Sequence, residues 1–247
     1  MRVPYTAPMS TPYVLHYAPD NASLIVRLVL EELRLPYKTR LVDRAAREQE
    51  GDAFRQINPA GLIPALETPH GVMFETAAIV LWLADTQGRM APAPDAPERA
   101  AFLSHLFFAS NTLHAQLRMI YYPEKYVGPD PEAQAQLRHR LQQPSAQVMT
   151  LRNALALMDE WAMARGDDPV VEPTVLDYYL AAVIRWCGLY PEGHTDWFDL
   201  NEYPALLTLG EDLEIRPAVH AAIKAEGLGP APFTNPRYPQ PPEGSAT

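Results

Sequence analysis

The chain has 247 residues, 47% of them hydrophobic and 20% charged, which is enough apolar material for one large or two small packed domains and excludes a wholly disordered chain. Thirty acidic residues outnumber 20 basic ones for a formal charge of −10, and no Lys/Arg run makes a local basic footprint, so nucleic acid is not an expected partner. A single cysteine, Cys187, excludes an internal disulfide and fits a reducing cytoplasm, while charges such as Arg27 and Arg185 interrupt every apolar stretch short of the ~18 residues of a membrane helix.

Residues 1–12 contain Pro4, Pro8 and Pro12 where a signal peptide needs a continuous apolar run, and read as a disordered arm. Tyr13 to Tyr17 is β-prone, Pro19, Asp20 and Asn21 make a loop, and Leu24 to Leu33 carries apolar residues at helical spacing. A second strand follows from Tyr37 to Val42, then a polar, weakly helical segment over 45–57. Ile63 to Leu66 and Val72 to Phe74 flank the turn residues Thr68 to Gly71 as a hairpin, and Glu75 to Asp85 is an apolar helix. The order βαβ then ββα predicts a small sheet with helices packed on it over 13–86. A linker rich in Gly, Ala and Pro spans 87–97. Helical periodicity then dominates 98–227, with helices expected at about 97–126, 131–165, 174–190, 202–213 and 216–226 and no second sheet. The Pro-dense tail, 228–247, is expected to run extended over the surface or to be disordered. The class is α+β: a thioredoxin-like half followed by an all-helical half.

Within this order, Asn58-Pro59-Ala60-Gly61-Leu62-Ile63-Pro64-Ala65-Leu66, the pair Glu75-Thr76 opening a helix, and Thr174-Val175-Leu176-Asp177 resemble the corresponding motifs of cytosolic glutathione transferases. The resemblance covers Tyr13 to about Leu228, and the stretches Ala109 to Pro123 and Ile215 to Leu228 narrow it to the bacterial beta-class members. It implies glutathione as co-substrate, a small hydrophobic electrophile, a homodimer and no metal. By the same resemblance Pro64 is cis and turns the backbone of Ile63 outward to pair with the cysteinyl unit of a bound peptide, with Leu62 beside it. Glu75 and Thr76 hold the γ-glutamyl end, at a helix start whose free N–H groups suit a carboxylate. Thr174 and Asp177 form a capping box whose role is folding.

The chain departs from the beta-class pattern where it bears on chemistry. The loop cysteine is replaced by Ala22, and the polar and basic residues usual near Gly61 are Leu62 and Ala60, leaving Lys38, Arg40 or a residue from a partner subunit as substitute contacts for the glycyl carboxylate. A free thiol near pKa 8.5 is only a few per cent ionised at neutral pH, so some group must stabilise the thiolate. Ser23 is the leading donor, with Asn21 and Tyr17 as alternatives; an N-terminal capping role for Ser23 is nearly as good a reading. His114 faces the site by the resemblance, or is a buried, satisfied histidine among Leu113 and Leu117. Tyr17, His114, Arg118, Tyr121 and Tyr122 make a candidate aromatic electrophile pocket, tyrosines at helical spacing being otherwise core or interface residues. Cys187 reads as an inert core thiol, and the seven histidines form no HxxxH or HExxH pair. The reading from another class is a non-catalytic binding or regulatory protein that keeps the fold.

Overall fold

The computed structural model describes residues 13–165 and 172–246; the arm expected at 1–12 lies outside them. The first half contains β1 (Tyr13–Tyr17), α1 (Ser23–Glu32), β2 (Tyr37–Leu41), α2 (Asp52–Arg55), β3 (Ala65–Thr68), β4 (Gly71–Phe74) and α3 (Thr76–Gln87). The four strands form one sheet in the order β2-β1-β3-β4. β1 runs parallel to β2, with Leu15 opposite Thr39, and antiparallel to β3, with Leu15 opposite Leu66; β3 and β4 pair as a hairpin. Being central, β1 is buried at Leu15, His16 and Tyr17, whereas the outer strand β2 keeps Lys38, Thr39 and Arg40 exposed.

Each face of the sheet has its own cover. α1 and α3 pack on one side with Leu24, Leu28, Ile79 and Leu83 fully buried, at about 1.5–3 kcal/mol of hydrophobic stabilisation each. On the other side Val42, Phe54 and Ala65 make a small separate core against which Ile57 and Ile63 lean. That core fixes both ends of the loop from Asn58 to Pro64.

The second half contains α4 (Arg99–Phe108), a π-helical turn (Ala109–His114), α5 (Ala115–Tyr121), α6 (Glu124–Val127), α7 (Pro131–Gln142), α8 (Leu151–Ala164), α9 (Val175–Leu189), α10 (Pro204–Glu214) and α11 (Pro217–Glu226). Two of the expected helices are therefore interrupted. The first widens into the π turn and stops at Tyr121, two residues ahead of Pro123; the second breaks between Gln142 and Leu151, where Pro144 cannot continue it.

α9 is the axis of this half, with every residue buried except Gly188. Its start is held by the reciprocal cap, the Thr174 N–H donating to Asp177 at 2.6 Å and the Asp177 N–H to the Thr174 hydroxyl at 3.4 Å. α1 packs against both α9 and α11, so a single apolar core runs through both halves. Polar clamps reinforce that junction: Glu32 of α1 accepts from Tyr178 at 2.5 Å and Arg216 at 3.1 Å, and Glu226 of α11 accepts from Arg27 at 2.6 Å.

Candidate active site

A cavity of about 800 Å³ opens between the sheet edge and the helical half. Three pieces of the first half border it. The loop after β1 contributes Asp20, at φ 48°, with Asn21 and Ala22. The loop into β3 contributes Leu62, Ile63 and Pro64, with Ile63–Pro64 cis. Asn58, almost fully buried, shapes that loop from inside: its amide nitrogen donates to the Leu62 carbonyl at 2.6 Å and its oxygen accepts from the Ala60 N–H at 3.1 Å. Gly61 is required there, since at φ +63° a Cβ would come within 2.9 Å of the Gln49 carbonyl. Neither the N–H nor the C=O of Ile63 is engaged by a turn or loop hydrogen bond.

The third piece is the start of α3. Glu75, at φ 70°, and Thr76 both line the cavity; the Glu75 carboxylate is exposed and makes no hydrogen bond or ion pair. A negative group beside unsatisfied helix N–H donors gives this corner an acceptor for a cation and donors for an anion within a few ångströms of chain.

From the helical half, the π turn and α5 present Ser110, Asn111, His114, Arg118, Tyr121 and Tyr122 to the same space. The His114 Nδ1 pairs with the Tyr179 hydroxyl at 2.8 Å, and its ring packs 5.3 Å from that of Trp186. Burial, helped by the Arg118 charge, lowers the His114 pKa to about 4, so the imidazole is neutral at physiological pH. It is thus both cavity-facing and internally bonded, combining the two alternatives. Burial also pushes the Tyr121 phenol well above its ordinary range. The Tyr121 hydroxyl and the Gln49 Oε1 are buried without a protein partner, and both residues line the cavity. Arg118 donates to Tyr126 at 2.8 Å, and Tyr122 accepts from Arg44 at 2.6 Å.

Two expected site residues lie elsewhere. Ser23 is 0% exposed, donates to the Ala18 carbonyl at 3.0 Å and accepts from the Ala18 N–H at 3.3 Å, so its hydroxyl is turned back onto β1 and does not line the cavity. It does not cap α1 either; the cap position is Ala22. Tyr17 is also buried off the cavity wall, under the Arg27 guanidinium (4.7 Å to the ring centroid), and donates to Glu243. Lys38 and Arg40 also stay outside, exposed on β2; the cations on the cavity wall are Arg44, Arg118 and Lys125. Cys187 is fully buried in α9 with its thiol pushed up by burial. Among the described residues no group of His, Cys, Asp or Glu is placed to hold a metal, and no helix is long and apolar enough to cross a membrane.

Sequence reasoning missed the group that holds this loop in place. Asp20 accepts from Arg185 at 2.8 and 2.9 Å, from the Trp186 indole at 2.9 Å and from the Tyr190 hydroxyl at 2.8 Å, while its own N–H donates to Glu226 at 2.8 Å. An arginine inside an apolar helix was the available signal, because a buried guanidinium requires a buried carboxylate.

Residues 22–86 match the family model described as the glutathione S-transferase N-terminal domain. Among solved structures, a glutathione transferase from Methylococcus capsulatus strain Bath is 30% identical, with 87% of this chain and 98% of that one covered and a TM-score of 0.67. A sphingomonad glutathione S-transferase complexed with glutathione is 29% identical, covering 87% and 100% of the two chains with a TM-score of 0.68. A beta-class glutathione S-transferase from Sphingomonas chungbukensis is 28% identical over 87% and 98% of the chains, with a TM-score of 0.67. Fold, site architecture and near-complete alignment agree: the chain belongs to the glutathione S-transferase family.

Proposed function

We propose that this protein is a glutathione transferase in which Ile63, Glu75 and Thr76 orient glutathione and the helical half receives a small hydrophobic electrophile. The observation that carries this reading is convergence: the unengaged Ile63 backbone, the unpaired Glu75 carboxylate at the start of α3 and the His114 to Tyr122 aromatic wall border one cavity. Ile63 pairs with the cysteinyl unit as an added strand would, Glu75 binds the γ-glutamyl ammonium, and the first N–H groups of α3 with Thr76 take its carboxylate.

With Ser23 turned away and Ala22 carrying no donor, the sulfur is stabilised by Asn21 and by the amide groups at the start of α1, whose dipole favours a thiolate. The thiol proton leaves to solvent, and the thiolate attacks the electrophilic carbon. A C–S bond forms as the leaving group departs with its electron pair. In this reading neutral His114 and the unpartnered Tyr121 hydroxyl donate to the electrophile or its leaving group. Fixed geometry supplies most of the acceleration. Exposed Val72 and Phe74 on β4 and Phe107 on α4 support a homodimer, and a cytoplasmic detoxifying role accords with the reduced thiol that such chemistry consumes.

Calorimetric titration with reduced glutathione tests the reading. Saturable binding is expected for the parent, and at least about 100-fold weaker binding for the Glu75→Ala, Thr76→Ala double variant, at ~1.5–3 kcal/mol for each of the two lost charged hydrogen bonds. A folded parent that does not bind at millimolar glutathione refutes it.

A further inference from the structure

One wall of the cavity comes from chain beyond α11. The segment from Tyr238 to Ala246 crosses from the helical half to the sheet. The Tyr238 hydroxyl donates to the Leu189 carbonyl at the end of α9 (2.8 Å), and the Gln240 N–H donates to the Gly227 carbonyl (2.9 Å). Glu243 then accepts from Tyr17 of β1, and the Ala246 carbonyl accepts from Arg44 just past β2. The seat is shaped for this path. A Cβ at Gly244 would lie 2.6 Å from Leu41, and one at Gly227 only 2.0 Å from the Gln240 carbonyl oxygen. Pro239, Pro241 and Pro242 restrict the free segment, so holding it in one path costs less conformational entropy than an ordinary tail would.

The same segment faces the site. Tyr238, Pro239 and Pro241 line the cavity beside Tyr190, whose ring meets that of Tyr238 edge-on at 5.8 Å and that of Tyr121 at 6.1 Å; Gly244 and Ala246 line it next to Arg44. The alignments with the three solved relatives cover 87% of this chain and 98–100% of theirs.

We propose that residues 238–246 form a strap that completes the electrophile site and selects single-ring aromatic electrophiles over larger fused-ring ones. This rests on the transferase reading above. The cavity must hold a tripeptide and its partner together, and the strap fixes the aromatic wall at Tyr238 so that a large ring system meets packed side chains. The strap's latches, Tyr17 and Arg44, belong to the sheet half, so the strap ties the two halves together along one wall of the cavity.

The test compares benzyl chloride with 9-(chloromethyl)anthracene, both attacked by the glutathione sulfur at the benzylic carbon with chloride leaving. A chain ended at Gln240 keeps the Tyr238 and Gln240 contacts and loses the rest of the strap; Tyr17→Phe in the full chain removes one latch without touching the cavity. The ratio of kcat/KM for the anthracenyl over the benzyl substrate is expected to rise about tenfold in the shortened chain and to shift the same way in Tyr17→Phe. A ratio within about twofold of the parent in both variants, with glutathione binding intact by calorimetry, overturns the strap alone. A parent that fails to bind glutathione overturns the transferase reading and the strap's role with it.

Discussion

Replacing Arg185 by Met keeps most of the side-chain volume and removes the charge from the centre of the molecule. The guanidinium makes five hydrogen bonds: two to Asp20 (2.8 and 2.9 Å) and one each to the carbonyls of Leu228 (3.3 Å), Pro232 (3.0 Å) and Arg237 (3.0 Å). Both partners of the ion pair have fully buried side chains. The pair itself is not strongly stabilising relative to a packed apolar pair, because desolvation offsets most of the attraction. Breaking it is another matter, since Asp20 then remains a buried carboxylate with only Trp186 and Tyr190 as donors. The expected loss is about 3–5 kcal/mol, a large fraction of the ~5–15 kcal/mol that holds a typical protein folded. At about 2–4 °C per kcal/mol for a chain of this size, Tm should fall by roughly 10 °C. Urea titration of Arg185→Met, and of the same change combined with Asp20→Asn, measures it. The double variant should recover part of the loss because no charge is stranded. A loss below about 1 kcal/mol in the single variant would refute the reasoning.

Gly61→Ala should weaken glutathione binding by calorimetry and lower stability by ~1–2 kcal/mol, because alanine resists the positive φ and its Cβ would press on the Gln49 carbonyl. His114, with a native pKa of about 4 against ~6.5 unfolded, stays neutral through the working range, so the kcat/KM profile of the parent between pH 5.5 and 8 should show no inflection that His114→Asn removes. Glu32 gives the opposite acid signature to a buried unpaired acid. Burial pushes its carboxyl up, but hydrogen bonds from Arg216 and Tyr178 and the Arg216 charge outweigh this and hold it below its ordinary value. Its contribution is therefore present above the unfolded pKa and is lost as pH falls through the native one, and Glu32→Gln should flatten the acid limb of a stability–pH curve below about pH 4.5.

The sheet half was readable because its signals are local: Tyr13 to Tyr17 and Tyr37 to Val42 have strand composition, and Pro64 and Gly61 punctuate the loop between them and β3. The helices were readable as segments. A π turn adds a single residue to one helical turn, however, and leaves the apolar spacing around Leu113 and Leu117 almost unchanged, so the widening that brings Ser110 and His114 to the cavity together has no periodic signature. Ser23 lies off the cavity wall because the direction of its hydroxyl depends on how the chain turns at Ala18 after β1, a backbone turn that composition does not encode. Arg44 rather than Lys38 or Arg40 reaches the site because it stands past the end of β2, where the chain is free to turn inward. The latch from Tyr17 to Glu243 joins residues 226 positions apart, and no local pattern announces such a contact.

The placement of the one cysteine sets how the protein responds to oxidants. Cys187 lies in the core of α9, and the loop position that would face a bound thiol is Ala22. Thiol–disulfide exchange needs an accessible thiolate, so the native protein cannot be captured by its own substrate as a mixed disulfide, nor climb the sulfenic and sulfinic ladder at its site. An oxidising swing would starve such a protein of reduced substrate but leave no disulfide on it, so its cysteine needs no reductive repair when the thiol pool recovers.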